Sequence, residues 1–89
     1  MEYQVEFNNR DWFIQFGIAI SILRRLRGMT QEQLAEKAHI SRSYLSSIEA
    51  PATVTKFSVE VLLNIANALE IDPGELMQSI KFFASQKHI

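Results

Sequence analysis

Residues 31–50 read QEQLAEKAHISRSYLSSIEA, and the fold of the whole chain turns on them. Leu34, Ala35 and Ala38 recur at the spacing of a short amphipathic helix, and Ile40, Leu45 and Ile48 resume the pattern after a break. Thr30 precedes the first helix and Gln33 lies three residues on, the arrangement of a capping box. Ser41 is placed to cap the second helix by accepting a hydrogen bond from the amide of Ser43 or Tyr44. Only Ala38, His39 and Ile40 lie between the two, too few for an antiparallel hairpin and enough for a sharp corner. Two short helices around such a corner form a helix-turn-helix. The small Ala35 is what lets the second helix cross closely over the first.

With TQEQLAEKA, the following ISRSYLSSIE and LLNIANALEIDPGEL further on, the sequence resembles the phage repressor and Cro (XRE) family of helix-turn-helix domains. The resemblance runs from about Phe16 to Met77. It implies an all-α, compact five-helix repressor-like bundle. Two positions depart from the family pattern: His39 stands at the corner and Glu70 at the end of the fourth helix, where glycine is usual. Both places call for a positive φ, which His tolerates better than bulky or β-branched residues do. Local strain is expected at both, within the same fold.

The rest of the chain is consistent with one domain over residues 11–85, with residues 1–10 an N-terminal extension and 86–89 a C-terminal tail. Tyr3, Val5 and Phe7 alternate with polar residues at the period of a β-strand. Such a possible short N-terminal strand needs a partner for its backbone groups, and a second subunit could supply one. A frayed tail is the other reading. A first helix is predicted from Asp11 to Arg27, capped by Asn9 or Asp11 and closed by Gly28. Its core face is Phe13, Phe16, Ile20 and Leu23. Ile18, Ile22 and Leu26 form a second apolar stripe about 160° away from Ile20. Either the N-terminal residues fold over that stripe or a second subunit does. Ser58 is expected to cap a fourth helix bearing Val59, Leu62, Ile65, Ala66 and Leu69. Asp72, Pro73 and Glu75 open a fifth, with Leu76, Met77, Ile80 and Phe83 on one side. That last helix is a second candidate interface, with Ile80 and Phe83 as contacts, or an ordinary core helix.

Charge is unevenly spread. The chain carries a formal −1, yet residues 24–56 hold six basic and three acidic side chains, a balance of +3, against −4 elsewhere. Phosphates sense charge within about 10 Å at ordinary salt, so the local excess counts more than the total. Absence of cysteine excludes disulfides and thiolate metal sites. His39 and His88 are far apart in sequence, and no metalloprotease or phosphate-loop motif occurs. No enzyme, metal or cofactor is expected. The acidic start is unlike a secretory signal and no long apolar run suggests a membrane span, so the cytoplasm is the expected compartment.

The resemblance also implies site residues. In repressor-type docking the second helix of the motif enters the major groove of double-stranded DNA. Arg42, Ser43, Ser46 and Ser47 are then the candidates for base contacts. Arg42 is foremost, since a guanidinium can bond guanine O6 and N7 together. Gln31, Tyr44, Thr53 and Lys56 are candidates for phosphate contacts. Arg25 and Arg27 either join them or are solvated charges. Arg24 and Glu49 match a structural ion pair that locks the recognition helix to the first helix. The expected function is that of a homodimeric transcriptional regulator on a palindromic operator. Its dimer contacts would come from Tyr3, Val5, Phe7, Ile18, Ile22, Leu26, Ile80 and Phe83. The alternative is a protein-binding adaptor, a partner-holding domain of the antitoxin kind.

Overall fold

The computed structural model describes residues 8–86, with residues 9 and 81–86 described by their backbone alone. Among the described residues five helices follow in order: α1 (Asn9–Leu26), α2 (Gln31–Ala38), α3 (Arg42–Glu49), α4 (Val59–Ala68) and α5 (Pro73–Gln86). The all-α bundle expected from the sequence is the fold observed. The possible strand with Tyr3, Val5 and Phe7 lies outside the described residues.

Local chemistry sets most of the helix ends. The Thr30 hydroxyl accepts from the Gln33 amide at 3.0 Å, and the Gln33 carbonyl accepts from the Thr30 amide at 2.9 Å. Ser41 accepts from the Tyr44 amide and Ser58 from the Val61 amide. The Asp72 carboxylate accepts from the Gly74 amide at 2.7 Å. α1 begins earlier than predicted. Asn8 is its cap and Asp11, three residues on, accepts from the Asn8 amide, so the cap sits one residue before the earlier of the two expected caps.

Three helices close in the same way, each with one residue in the left-handed region. Gly28 (φ 72°) follows α1, His39 (φ 61°) follows α2 and Glu70 (φ 58°) follows α4. In each case the next amide reaches back five residues along the chain: Met29 to the Arg24 carbonyl, Ile40 to Ala35 and Ile71 to Ala66, all at 3.0 Å. This Schellman closure satisfies carbonyls that the helix itself leaves unpaired. The strain expected at His39 and Glu70 is therefore present, and it terminates two helices.

Ile20, Leu34, Ala35, Ala38, Leu45, Ile48, Ile65, Ala66, Leu69 and Leu76 make one buried cluster. α1 packs on α3 and α5, α2 on α3 and α4, and α4 on α5. The α1–α3 crossing is closer than the sequence suggests. At Gly17 a Cβ atom would overlap the carbonyl oxygen of Ile48, so α3 rests on bare backbone. A glycine inside a helix costs about 1 kcal/mol relative to alanine, and here the close approach is what it secures. On the same helix Phe13 and Phe16 meet Phe57 edge-to-face, with ring centroids 5.0 and 5.7 Å apart. That contact folds the loop after α3 back onto α1.

The second stripe of α1 is only partly covered by the chain itself. Ile18 and Ile22 are half-buried, while Leu26 is 75% exposed. Ile80 requires a correction. Expected at a subunit interface, it is 1% exposed in a single chain and belongs to its interior, one turn after the equally buried Leu76. A residue already packed inside one chain cannot also face a second. Phe83 lies in α5, and its side chain is outside the described set.

Candidate nucleic-acid interface

α3 presents two chemically different faces. Leu45, Ile48 and Glu49 are buried against the bundle, whereas Arg42, Ser43, Ser46 and Ser47 are exposed. With about 100° per residue, positions 42, 43, 46 and 47 share one side of the helix. All four predicted base-contact residues thus come together on one outward surface. Ser47 also donates its hydroxyl to the Ser43 carbonyl at 3.1 Å. Its hydrogen is turned inward in that rotamer, and its oxygen still accepts.

Glu49 fixes the base of this helix. Arg24 donates through Nε to Oε2 at 2.9 Å and through Nη2 to Oε1 at 3.1 Å, a bidentate pair in which both residues are less than a tenth exposed. Its third nitrogen, Nη1, donates to the Met29 carbonyl at 2.7 Å. One side chain therefore holds the end of α1, the α1–α2 connection and the end of α3 together. Such a pair adds little against an apolar replacement of both partners, yet losing either partner alone strands a buried charge.

The predicted phosphate-contact residues are only partly brought together. Gln31 opens α2 at the rim of a depression of about 480 Å³ that Arg24, Thr30, Glu32 and Arg42 also line. Its Nε2 donates to Glu49 Oε1 at 3.0 Å. Tyr44 is half-buried and donates its hydroxyl to the Lys56 carbonyl at 3.2 Å, so its proton ties down the loop. Thr53 and Lys56 are exposed on that loop. Arg25 is exposed beside Ile18, Ser21 and Ile22. Arg27 donates to the Glu70 carbonyl at 3.2 Å and so braces the corner after α4.

Sequence reasoning missed Gly17 and the Gln31–Glu49 and Tyr44–Lys56 bonds. A lone glycine within a helical pattern was the available signal for the first. Among the described residues, no three of His, Asp and Glu gather as they would around a metal ion. No described helix is long and apolar enough to cross a membrane.

Two short capped helices around a left-handed corner, with the second braced from below and polar above, define a helix-turn-helix domain of the phage-repressor type. Residues 20–76 match the helix-turn-helix family, and the chain belongs to that family. Over 33 residues the chain is 58% identical to the immunity repressor protein of Bacillus phage phi105. That match takes in 37% of this chain and 23% of the phage protein, so the chain spans about a quarter of that relative's length. In structure the chain is similar to the restriction-modification controller protein C.AhdI from Aeromonas hydrophila. The TM-score is 0.68 at 33% identity, over 74% of this chain and 97% of that one. It is also similar to the controller protein C.Esp1396I bound to a 19 base pair DNA duplex, with TM-score 0.70, 28% identity, and coverage of 76% and 88%.

Proposed function

We propose that this chain is a sequence-specific regulator that binds double-stranded DNA as a homodimer on a palindromic operator, with α3 in the major groove. The observation that carries this reading is the exposure of Arg42, Ser43, Ser46 and Ser47 on one side of a helix whose other side is buried. Arg42 reads a guanine, and the three serines are short enough to let the helix sit deep in the groove. Gln31, Lys56 and Thr53 grip phosphates on either side, while Tyr44, its proton committed to the Lys56 carbonyl, holds the loop that carries Lys56. Exposed Arg25, Lys37, Arg42 and Lys56 provide the positive field in this half of the molecule. The similarity to a phage repressor and to controller proteins, one of them bound to a DNA duplex, supports the same reading.

One arginine and three serines per copy constitute a weak reader, so two copies on half-sites about 34 Å apart are needed for useful specificity. Apolar surface is left over for that association. Leu26, Val59, Leu63 and Met77 are exposed, and the last three border an apolar groove with Phe13, Phe16 and Phe57. The compartment proposed is the cytoplasm, where the DNA of a bacterium or its phage is reached directly.

Selection of bound sequences from a random duplex pool, followed by titration at several salt concentrations, tests the reading. The expected result is an inverted repeat whose affinity falls steeply with salt as counterions are released. Salt-insensitive or absent DNA binding, with capture of a protein instead, would establish the adaptor alternative.

A further inference from the structure

Glu49 accepts three side-chain hydrogen bonds although it is almost wholly buried. Two come from Arg24 and form the ion pair; the third comes from Gln31 Nε2, at 3.0 Å, and leads out of the core. A carboxylate paired with arginine can only accept, so the Gln31 amide must turn its NH₂ group toward it. That choice removes the usual two-fold ambiguity of a glutamine amide. One of the two N–H bonds goes to Glu49 and the other remains a donor. Gln31 is half-buried, at the rim of the depression that Arg42 also lines, and so is open to solvent on its far side.

We infer that Glu49 is a positioning residue for capture of the DNA backbone, acting through Gln31, whose remaining N–H it holds ready for a phosphate oxygen. This rests on the reading of the surface around α3 as the DNA-docking face. A glutamine on an open surface would have to lose its rotamer freedom on binding; here folding has already removed it. Arg24 is required for the same purpose, because an uncompensated carboxylate beside the backbone would repel the phosphate. The last residue of α3 and the first of α2 are thereby tied in one network. A phosphate held by Gln31 is held in register with the helix that reads bases.

A double-mutant cycle on the full chain tests the inference. Gln31→Ala is made in the natural protein and in a protein carrying Arg24→Met with Glu49→Leu, an apolar exchange of the whole pair that such sites commonly tolerate. Affinity for the selected operator is measured at several salt concentrations. Gln31→Ala is expected to weaken binding about tenfold in the natural protein and less than about twofold in the exchanged one. The salt slope stays unchanged, because glutamine releases no counterion. Equal losses in both backgrounds overturn the positioning role and leave the DNA-binding reading standing. A natural protein with no salt-sensitive affinity for any duplex overturns both. If the exchanged protein does not fold, side-chain ¹⁵N relaxation on the free natural protein decides. With exposed Gln78 as the comparison, a Gln31 NH₂ group as rigid as the backbone supports the inference, and one no more ordered than Gln78 overturns it.

Discussion

The corner around Glu49 and the outer face of α4 and α5 are both surfaces beside the same core, and they are finished to different degrees. At the corner every buried polar atom has a partner: Arg24 is bound to Glu49 and to the Met29 carbonyl, and Glu49 also to Gln31. On the outer face Val59 is 71% exposed, Met77 53% and Leu63 41%, around a groove walled by Phe13, Phe16 and Phe57. Polar groups must be satisfied within the chain, because a buried unpaired charge costs several kcal/mol. Apolar area carries no such directional demand and can remain uncovered until something arrives. The contrast teaches that the corner around Glu49 is complete in one copy, while the apolar face of α4 and α5 is not.

Breaking the corner has the largest expected effect. Arg24→Ala strands the Glu49 carboxylate and should lower stability by about 3–5 kcal/mol, read from urea unfolding. A loss under about 1 kcal/mol would place the pair in solvent, contrary to its burial. The outer face responds differently. Met77→Glu should leave the monomer folded and weaken self-association by about 2 kcal/mol or more, followed by analytical ultracentrifugation. Running Ile22→Glu beside it sharpens the comparison: the variant that yields intact monomers marks the dimer face, and one that remains a dimer marks solvent.

Smaller effects test the roles proposed for α3 and the loop after it. Arg42→Ala should cost about 1–3 kcal/mol and relax preference at one guanine per half-site. Lys56→Ala should weaken all sequences alike and lower the salt slope by about 1. Uniform loss for Arg42→Ala would move it to the phosphate class. The smallest change is a gain. Glu70→Gly should raise the unfolding free energy by about 0.5–1 kcal/mol, and His39→Gly by less, since His tolerates the left-handed region better. An unchanged melting temperature in both would remove the strain argument at these corners.

Much of the fold was legible because its signals are local. The Thr30–Gln33 box and the Ser41 and Ser58 caps depend on hydrogen bonds within a few residues, while the left-handed corners at His39 and Glu70 were reached through the family's glycine pattern. The Arg24–Glu49 pair, 25 residues apart, was reached through resemblance to a family and not from spacing. The placement of Ile80 was misjudged for a related reason: periodicity shows which residues share a face but not what covers that face. Even the start of α1 was displaced, since Asn8 and Asp11 offered a better box than the expected cap.

What the sequence determined alone is therefore the set of helices, most of their ends and the residue types along the outer side of α3, all governed by interactions over one or two turns. Tertiary structure decided how closely α1 approaches α3 at Gly17, that Glu49 also holds Gln31, that Tyr44 ties the loop at Lys56, and which apolar side chains remain outside. Those outcomes depend on the distance and angle at which separate helices cross. These are set by the packing of the whole core at once, which no short window of residues encodes.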